Sequence, residues 1–99
     1  MARLDRDALV TAISAAVGAT ADPEGAADLV AERGRINVAA SAAELKGAIQ
    51  RLGPLPGYRW IVINAGDLFS ASPLTLGTKV GILDPNGRVL KAADLPRPK

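Results

Sequence analysis

The sequence contains no cysteine and no histidine. Without cysteine the chain has no disulfide framework, no thiolate metal ligand and no thiol nucleophile. Without histidine, a nucleophilic serine needs a lysine or a carboxylate as its base, and no spacing of Ser41, Ser70, Ser72, Lys46 and Lys79 indicates such a pair. These absences predict a protein that is not an enzyme and that has no cofactor, no catalytic residues and no metal site.

Aromatic residues are almost as scarce, with one Phe, one Trp and one Tyr among 99 residues. Much of the 48% hydrophobic content is alanine, so the predicted core is aliphatic and thin. A chain of this length supplies one core. We predict a single domain over residues 1–95 and a flexible basic tail over 96–99, and we expect a thin core to favour association with a second copy.

The charge is weak overall but unevenly distributed. The net charge is +2, with net −2 in residues 1–50 and net +4 in residues 51–99. No apolar run approaches the roughly 18 residues that a membrane span requires, so we predict no membrane partner. Asp5 and Asp7 place negative charge where a secretory signal has positive charge, which predicts a cytoplasmic protein.

Three helices are predicted. The first extends between a capping Asp5 and Gly18. The second extends from Asp22, which precedes a proline, to Gly34. Ser41 and Glu44 have the spacing of a capping box, which predicts a third helix through Leu52.

The strands are predicted mainly in the C-terminal half. Residues 35–40 alternate apolar and polar side chains, residues 58–64 are typical of a central strand, and Asp84-Pro85-Asn86-Gly87 closes a hairpin, with a loop over 66–76. Gly81 is interpreted as a strand glycine that leaves room for Trp60. The fold class is therefore α+β, with two to three helices, mostly N-terminal, packed on a small mixed or antiparallel sheet that ends in a C-terminal β-hairpin.

The stretch "INAGDLF" over 63–69 resembles one block of the metallophosphoesterase family, in which such a Gly-Asp supplies a metal ligand. Two-metal phosphoesterases need several imidazole and carboxylate ligands, and this chain has no histidine. The prediction is therefore no phosphatase activity and no metal-binding role for Asp67. Asn64 and Asp67 are expected to close a turn by bonding their own backbone, with Leu68 and Phe69 packed on the core.

By elimination, the sequence predicts a non-catalytic protein-interaction or assembly module that self-associates as a homodimer. The candidate interaction residues are Leu9, Ile13 and Val17, which form one stripe of the first helix. Another helix can approach this stripe closely because small alanines flank it. The pattern leaves a second placement open, in which the stripe lies on the sheet of its own chain.

Two alternatives have different chemistry. Arg59, Lys79, Arg88 and Lys91 fall on predicted strands of the positive half, which is consistent with a nucleic-acid-binding domain that uses the basic hairpin. Basic residues also protect exposed sheet edges from aggregation. The last alternative is a small-ligand protein or enzyme whose site forms at a subunit interface.

Overall fold

The computed structural model describes residues 3–95, which contain three α-helices and six strands. The predicted tail over 96–99 lies outside the described residues. The helices are α1 (Arg6–Val17), α2 (Ala42–Leu52) and α3 (Leu68–Thr75), and a short 3-10 turn (Ala65–Asp67) precedes α3. The strands are β1 (Thr20–Ala21), β2 (Leu29–Ala31), β3 (Gly34–Ala39), β4 (Arg59–Ile63), β5 (Gly81–Leu83) and β6 (Val89–Lys91).

The six strands form one mixed sheet in the order β1-β2-β3-β4-β5-β6. β4 is parallel to both β3 and β5, and the remaining pairs are antiparallel. Parallel neighbours require crossover connections, and here α2 and α3 provide them. The α+β class and the mixed sheet with a C-terminal hairpin are confirmed.

The central strand β4 separates two apolar layers. Its side chains alternate between the faces of the sheet, as the two-residue period of a strand dictates. Trp60 and Val62 belong to a cluster with α1, whereas Ile61 and Ile63 belong to a cluster with α2 and α3. Helices therefore cover both faces, and β4 is buried throughout.

The first and third predicted helices are confirmed with nearly the predicted ends. The Asp5 carboxylate accepts the backbone N–H of Ala8 at 2.8 Å, and Gly18 ends α1 in the left-handed conformation. At α2 the capping box is not formed as predicted: Ser41 Oγ donates to Glu44 Oε2 at 3.2 Å instead of accepting a backbone N–H. The serine and the glutamate therefore restrain each other's side chains at the start of α2.

The predicted helix over 22–34 is wrong, because this segment forms a turn and strand β2. The Asp22 carboxylate accepts the N–H groups of Glu24 and Ala27, and Gly25 adopts a φ of 69°, so the chain turns where the helix was expected to start. Leu29 then pairs with Ile36 of β3. Pairing with a buried strand outweighs the helix propensity of a short alanine-rich segment, which is a weak preference.

Asp22 makes this turn sensitive to pH. The N–H of Ala27, and then that of Glu24, hold the pKa of Asp22 below its ordinary value. A carboxyl group whose pKa is lowered by folding stabilises the fold above its unfolded pKa and loses this effect as the pH falls through its folded pKa. Asp22→Ala is therefore expected to destabilise the protein at pH 7, by an amount that shrinks below about pH 4. The urea unfolding midpoints of the wild type and of Asp22→Ala, measured at pH 7 and below about pH 4, test this prediction. An equal difference between the two proteins under both conditions would contradict it.

The predicted loop over 66–76 is also wrong, since most of it forms α3. Gly66, two serines and Pro73 favour a loop in the sequence. Pro73 lies within the helix and removes one backbone donor from a late turn. Ala71 and Thr75, four positions apart, are both buried, so packing of one helical side on the sheet supplies the stability that the local sequence lacks.

No helix within residues 3–95 has both the length and the apolar character needed to cross a membrane.

Candidate protein-interaction surface

Among residues 3–95, the most exposed large apolar side chains lie on the outer side of α3. Phe69 is 91% exposed and Leu76, at the C-terminal cap of the helix, is 69% exposed. They are seven positions apart, which is two helical turns, and Pro73 lies between them on the same side. We call Phe69, Pro73 and Leu76 the α3 outer face.

The orientation of this face is fixed by the opposite side of the helix. Ala71 and Thr75 are buried, and Leu68 is half-buried against the cluster beneath α2 and α3. The Thr75 hydroxyl also accepts a hydrogen bond from Lys91 Nζ of β6 at 2.7 Å. Phe69 lies about 100° around the helix from Leu68, so it stays in solvent while the buried side remains packed. The prediction that Phe69 packs on the core is therefore wrong.

α3 has no charged residue between Leu68 and Thr75. A helix with one side buried usually carries charges on the other, and the centres of protein interfaces are depleted of charge and enriched in aromatic residues. The α3 outer face therefore has the composition of an interface core and differs from an ordinary solvated helix surface. The sequence offered one signal for it, the apolar pair Phe69 and Leu76 at a spacing of seven in a stretch without charge.

A groove of about 420 Å³ lies on the other side of α3, towards α2. We call it the α2–α3 groove; it is lined by Lys46, Ile49, Gln50, Gly53, Arg59, Leu74 and Thr78. Leu74 is 42% exposed and contributes apolar surface from α3, while Ile49 does so from α2. No sequence pattern indicated this groove, because residues 66–76, which form most of α3 beside it, were predicted to be a loop.

Arg59 is the buried charge beside this groove. The residue is only 3% exposed although it belongs to strand β4. Its guanidinium donates to the backbone oxygens of Leu52, Gly53 and Thr78 at 3.3, 3.0 and 2.8 Å. Because Leu52 and Gly53 end α2, Arg59 satisfies free carbonyls at the negative end of that helix. It ties α2 to the segment that precedes β5.

The four candidate nucleic-acid contacts do not form one open basic surface. Arg59 is buried, Lys79 lies 3.9 Å from the Asp94 carboxylate, and Lys91 donates to Thr75. Arg88 is exposed, next to the hairpin turn. Accessible cations are needed to neutralise phosphates and so release the counterions of the nucleic acid, and Arg88 alone of the four is exposed. Nucleic-acid binding stays a prediction, and affinity that falls steeply with salt is its test.

The predicted interaction stripe lies inside the chain. Leu9 and Ile13 are fully buried in the cluster between α1 and the sheet, and Val17 is half-buried against it. The structure thus has the second of the two placements that the sequence left open. Leu9 and Ile13 present no surface to a second copy while α1 is packed. The candidate interaction surface is therefore the exposed side of α3.

The side chains of Asn64 and Asp67 hold the N-terminal segment, whereas their turn is closed by the backbone, with Asp67 N–H donating to Asn64 O at 2.8 Å. The Asn64 amide accepts from Leu4 N–H at 2.8 Å and donates to the backbone oxygens of Leu4 and Ala40 at 3.0 and 3.1 Å. Asp67 accepts two hydrogen bonds from Arg3, at 3.0 and 2.7 Å, which raise the pKa of the Arg3 guanidinium. The end of β4, whose sequence resembles the metallophosphoesterase block, therefore positions the segment that precedes α1.

Asn64→Ala is expected to lower the free energy of unfolding by about 1–3 kcal/mol, because it leaves the partly buried N–H and C=O groups of Leu4 without their side-chain partner. Asn64→Asp is expected not to restore stability, since a carboxylate keeps the acceptor but loses both donations. Asn86→Ala in the exposed hairpin turn is the control for removing an asparagine side chain. Thermal unfolding measures all three, and an Asn64→Ala protein as stable as the wild type would contradict this role.

Polar side chains also join α1, β2, β3 and α2. Asp28 lies 2.9 Å from Arg6 and accepts the Val38 N–H at 2.8 Å. The buried Asn37 amide accepts from Asp28 N–H and donates to Ala48 O. Since these groups satisfy one another, the network holds the elements in place and leaves little capacity for a ligand.

Within residues 3–95 no three acidic side chains are grouped so that they could hold a metal ion. The absence of phosphatase activity stays a prediction. Comparison of the chain with protein-family models, with curated proteins and with solved structures finds no match. A functional conclusion therefore depends on the surfaces of this molecule.

Proposed function

We propose that this protein is a non-catalytic interaction module that self-associates through the α3 outer face. The observation that supports the proposal is the 91% exposure of Phe69, the chain's one phenylalanine, on a helix without charge. Burying a phenylalanine fully is worth about 1.5–3 kcal/mol. In a monomer the exposed Phe69 side chain provides little of this stabilisation, whereas its burial against a second copy would provide it.

A second copy fits this face better than a charged partner does. When a two-fold axis lies perpendicular to two α3 helices, the helices run antiparallel, and Phe69 of each copy packs against Leu76 of the other. Because α3 carries no charge, the two copies meet without like-charge repulsion and without burying an unpaired ion. The contact between two eight-residue helices is small, so we expect a weak dimer whose population depends on concentration.

The test is sedimentation velocity from about 10 µM to about 1 mM, a range in which association of about 4–7 kcal/mol becomes visible. We expect the wild type to shift from monomer to dimer and Phe69→Glu to remain a folded monomer throughout. Tyr58→Ser is the matched control, because it removes another exposed aromatic side chain away from α3 and is expected to dimerise like the wild type. A wild type that remains monomeric at about 1 mM, or a Phe69→Glu protein that still dimerises, would refute the proposal.

A further inference from the structure

The α2–α3 groove has the size and form of a small-ligand site. Its volume of about 420 Å³ lies within the roughly 300–1,000 Å³ that is typical of ligand pockets. Lys46, Gln50 and Gly53 follow one another along one side of α2 at spacings of four and three, so they form a continuous wall. Leu74 of α3 stands across from them.

The groove combines an apolar lining with positive charge. Ile49 and Leu74 provide hydrocarbon, while Lys46 and Arg59 are both cationic. Among the described residues that line the groove none is acidic. Within the described chain Lys46 forms no ion pair, although six other pairs are present. Its ammonium group is therefore available to an anion.

The buried Arg59 side chain adds to the preference of the groove for anions. Its two terminal nitrogens donate to three backbone carbonyls, and its buried Nε has no hydrogen-bond partner within the described residues. No carboxylate within residues 3–95 forms an ion pair with it. Carbonyl dipoles offset only part of a full positive charge, and a charge under a low-dielectric surface acts more strongly than one in water. The field in the groove therefore favours anions and disfavours cations.

We propose that the α2–α3 groove binds a small organic anion with an aliphatic body, of which a medium-chain carboxylate is the simplest example. The carboxylate pairs with the Lys46 ammonium, within reach of the Gln50 amide, and the hydrocarbon lies over Ile49 and Leu74. Arg59 contributes through its field and holds the end of α2 in place. This site is separate from the α3 outer face, and the proposal does not depend on self-association.

The test is an NMR titration of the full chain with octanoate, octanol and octylammonium, which share a hydrocarbon chain and differ in charge. We expect octanoate to shift the amide signals of Ile49, Gln50, Leu74 and Thr78, octanol to bind about twofold to fivefold more weakly, and octylammonium to cause no shift at these positions. Equal affinity for octanoate and octanol would refute the anion preference. Shifts confined to other parts of the chain would refute the site.

Charge-reversed variants separate the groove from a general effect of net charge. Lys46→Glu is expected to weaken octanoate binding by about tenfold, because it replaces an attraction with a repulsion on an exposed side chain. Arg88→Glu changes the net charge equally but lies outside the groove, and its affinity is expected to stay within about twofold of the wild type. Equal losses in the two variants would refute the role of Lys46.

The apolar half of the site has its own variant. Leu74 is partly exposed, so Leu74→Ser is expected to keep the fold. This change is expected to weaken octanoate and octanol alike, by about threefold to tenfold, since it removes hydrocarbon from the wall that both chains contact. Unchanged affinity for both would show that the aliphatic body lies elsewhere. The same titration of Phe69→Glu is expected to match that of the wild type. Ligand binding in the groove can therefore be tested whether or not the protein self-associates.

Discussion

Replacing Ile13 by glutamate is expected to unfold the domain or to lower its free energy of unfolding by about 4 kcal/mol or more. Ile13 is fully buried between α1 and the sheet, in a cluster with Leu9, Trp60 and Val62. The substitution removes apolar contacts and places a carboxyl group where water is excluded. A domain of this size has a total stability of about 5–15 kcal/mol, so the substitution removes a large part of it.

The pH dependence of this variant distinguishes a buried carboxyl group from a mere loss of packing. Burial raises the pKa of a carboxyl group, because the charged form is the more strongly disfavoured one. A group whose pKa is raised in the folded state is tolerated best when it is protonated, so the destabilisation is expected to be smaller near pH 4 than at pH 7. Urea unfolding followed by circular dichroism measures the free energy of unfolding at both pH values.

Ala15→Glu on the exposed side of α1 is the matched control and is expected to change the stability by no more than about 0.5 kcal/mol. An Ile13→Glu protein that is folded, monomeric and as stable as the wild type would contradict the packing of α1 on its own sheet. That outcome would restore the hypothesis that Leu9, Ile13 and Val17 form the surface for self-association. The two placements of this stripe therefore predict opposite results for one substitution.

Gly81→Val is expected to cost about 3 kcal/mol, for a steric reason. A Cβ atom at Gly81 would lie 2.5 Å from Cε3 of the Trp60 ring and 2.6 Å from the backbone nitrogen of Ala93. Trp60 is held by a hydrogen bond from its indole N–H to Arg33 O at 2.9 Å, and Gly81 pairs with it across β4 and β5. Neither the ring nor the backbone can withdraw without disturbing the sheet.

Gly47→Ala is the control for removing a glycine. Gly47 lies within α2, and a Cβ there would meet no atom within 4 Å. Alanine favours a helix interior by about 0.8–1.0 kcal/mol over glycine, so this variant is expected to unfold at a higher temperature than the wild type. If Gly81→Val were as stable as the wild type, the close approach of Trp60 to β5 would be wrong.

The elements that the sequence predicted correctly are those with strong local signals. Asp5 and Gly18 bound α1, the stretch after Ser41 forms α2, and residues 59–63 form the buried central strand. The hairpin at Asp84–Gly87 is closed by the turn residues that predicted it, with Gly87 N–H donating to Asp84 O at 3.0 Å. The space beside Trp60 that Gly81 provides is confirmed as well.

The elements that were missed depend on partners outside the segments from which they were predicted. β2 forms a hairpin with β3, in which Leu29 pairs with Ile36, and α3 forms because its buried side packs on the sheet despite Pro73. The weak preferences for helix at 22–34 and for loop at 66–76 take no account of these partners, so packing between elements decided both segments. The α2–α3 groove follows from α3 and could not be predicted without it.

The sequence by itself determined which side chains are present, with neither cysteine nor histidine among them, and it indicated the α+β class, because composition and local periodicity do not depend on how elements are arranged in space. Only the tertiary structure decided which apolar residues are exposed. Ile13 and Phe69 look equally suited to a core or to an interface when read along the chain. The layer that α1 occupies buries Ile13, and the rotation of α3 on the sheet leaves Phe69 in solvent, since each helix can turn only one side towards the same core.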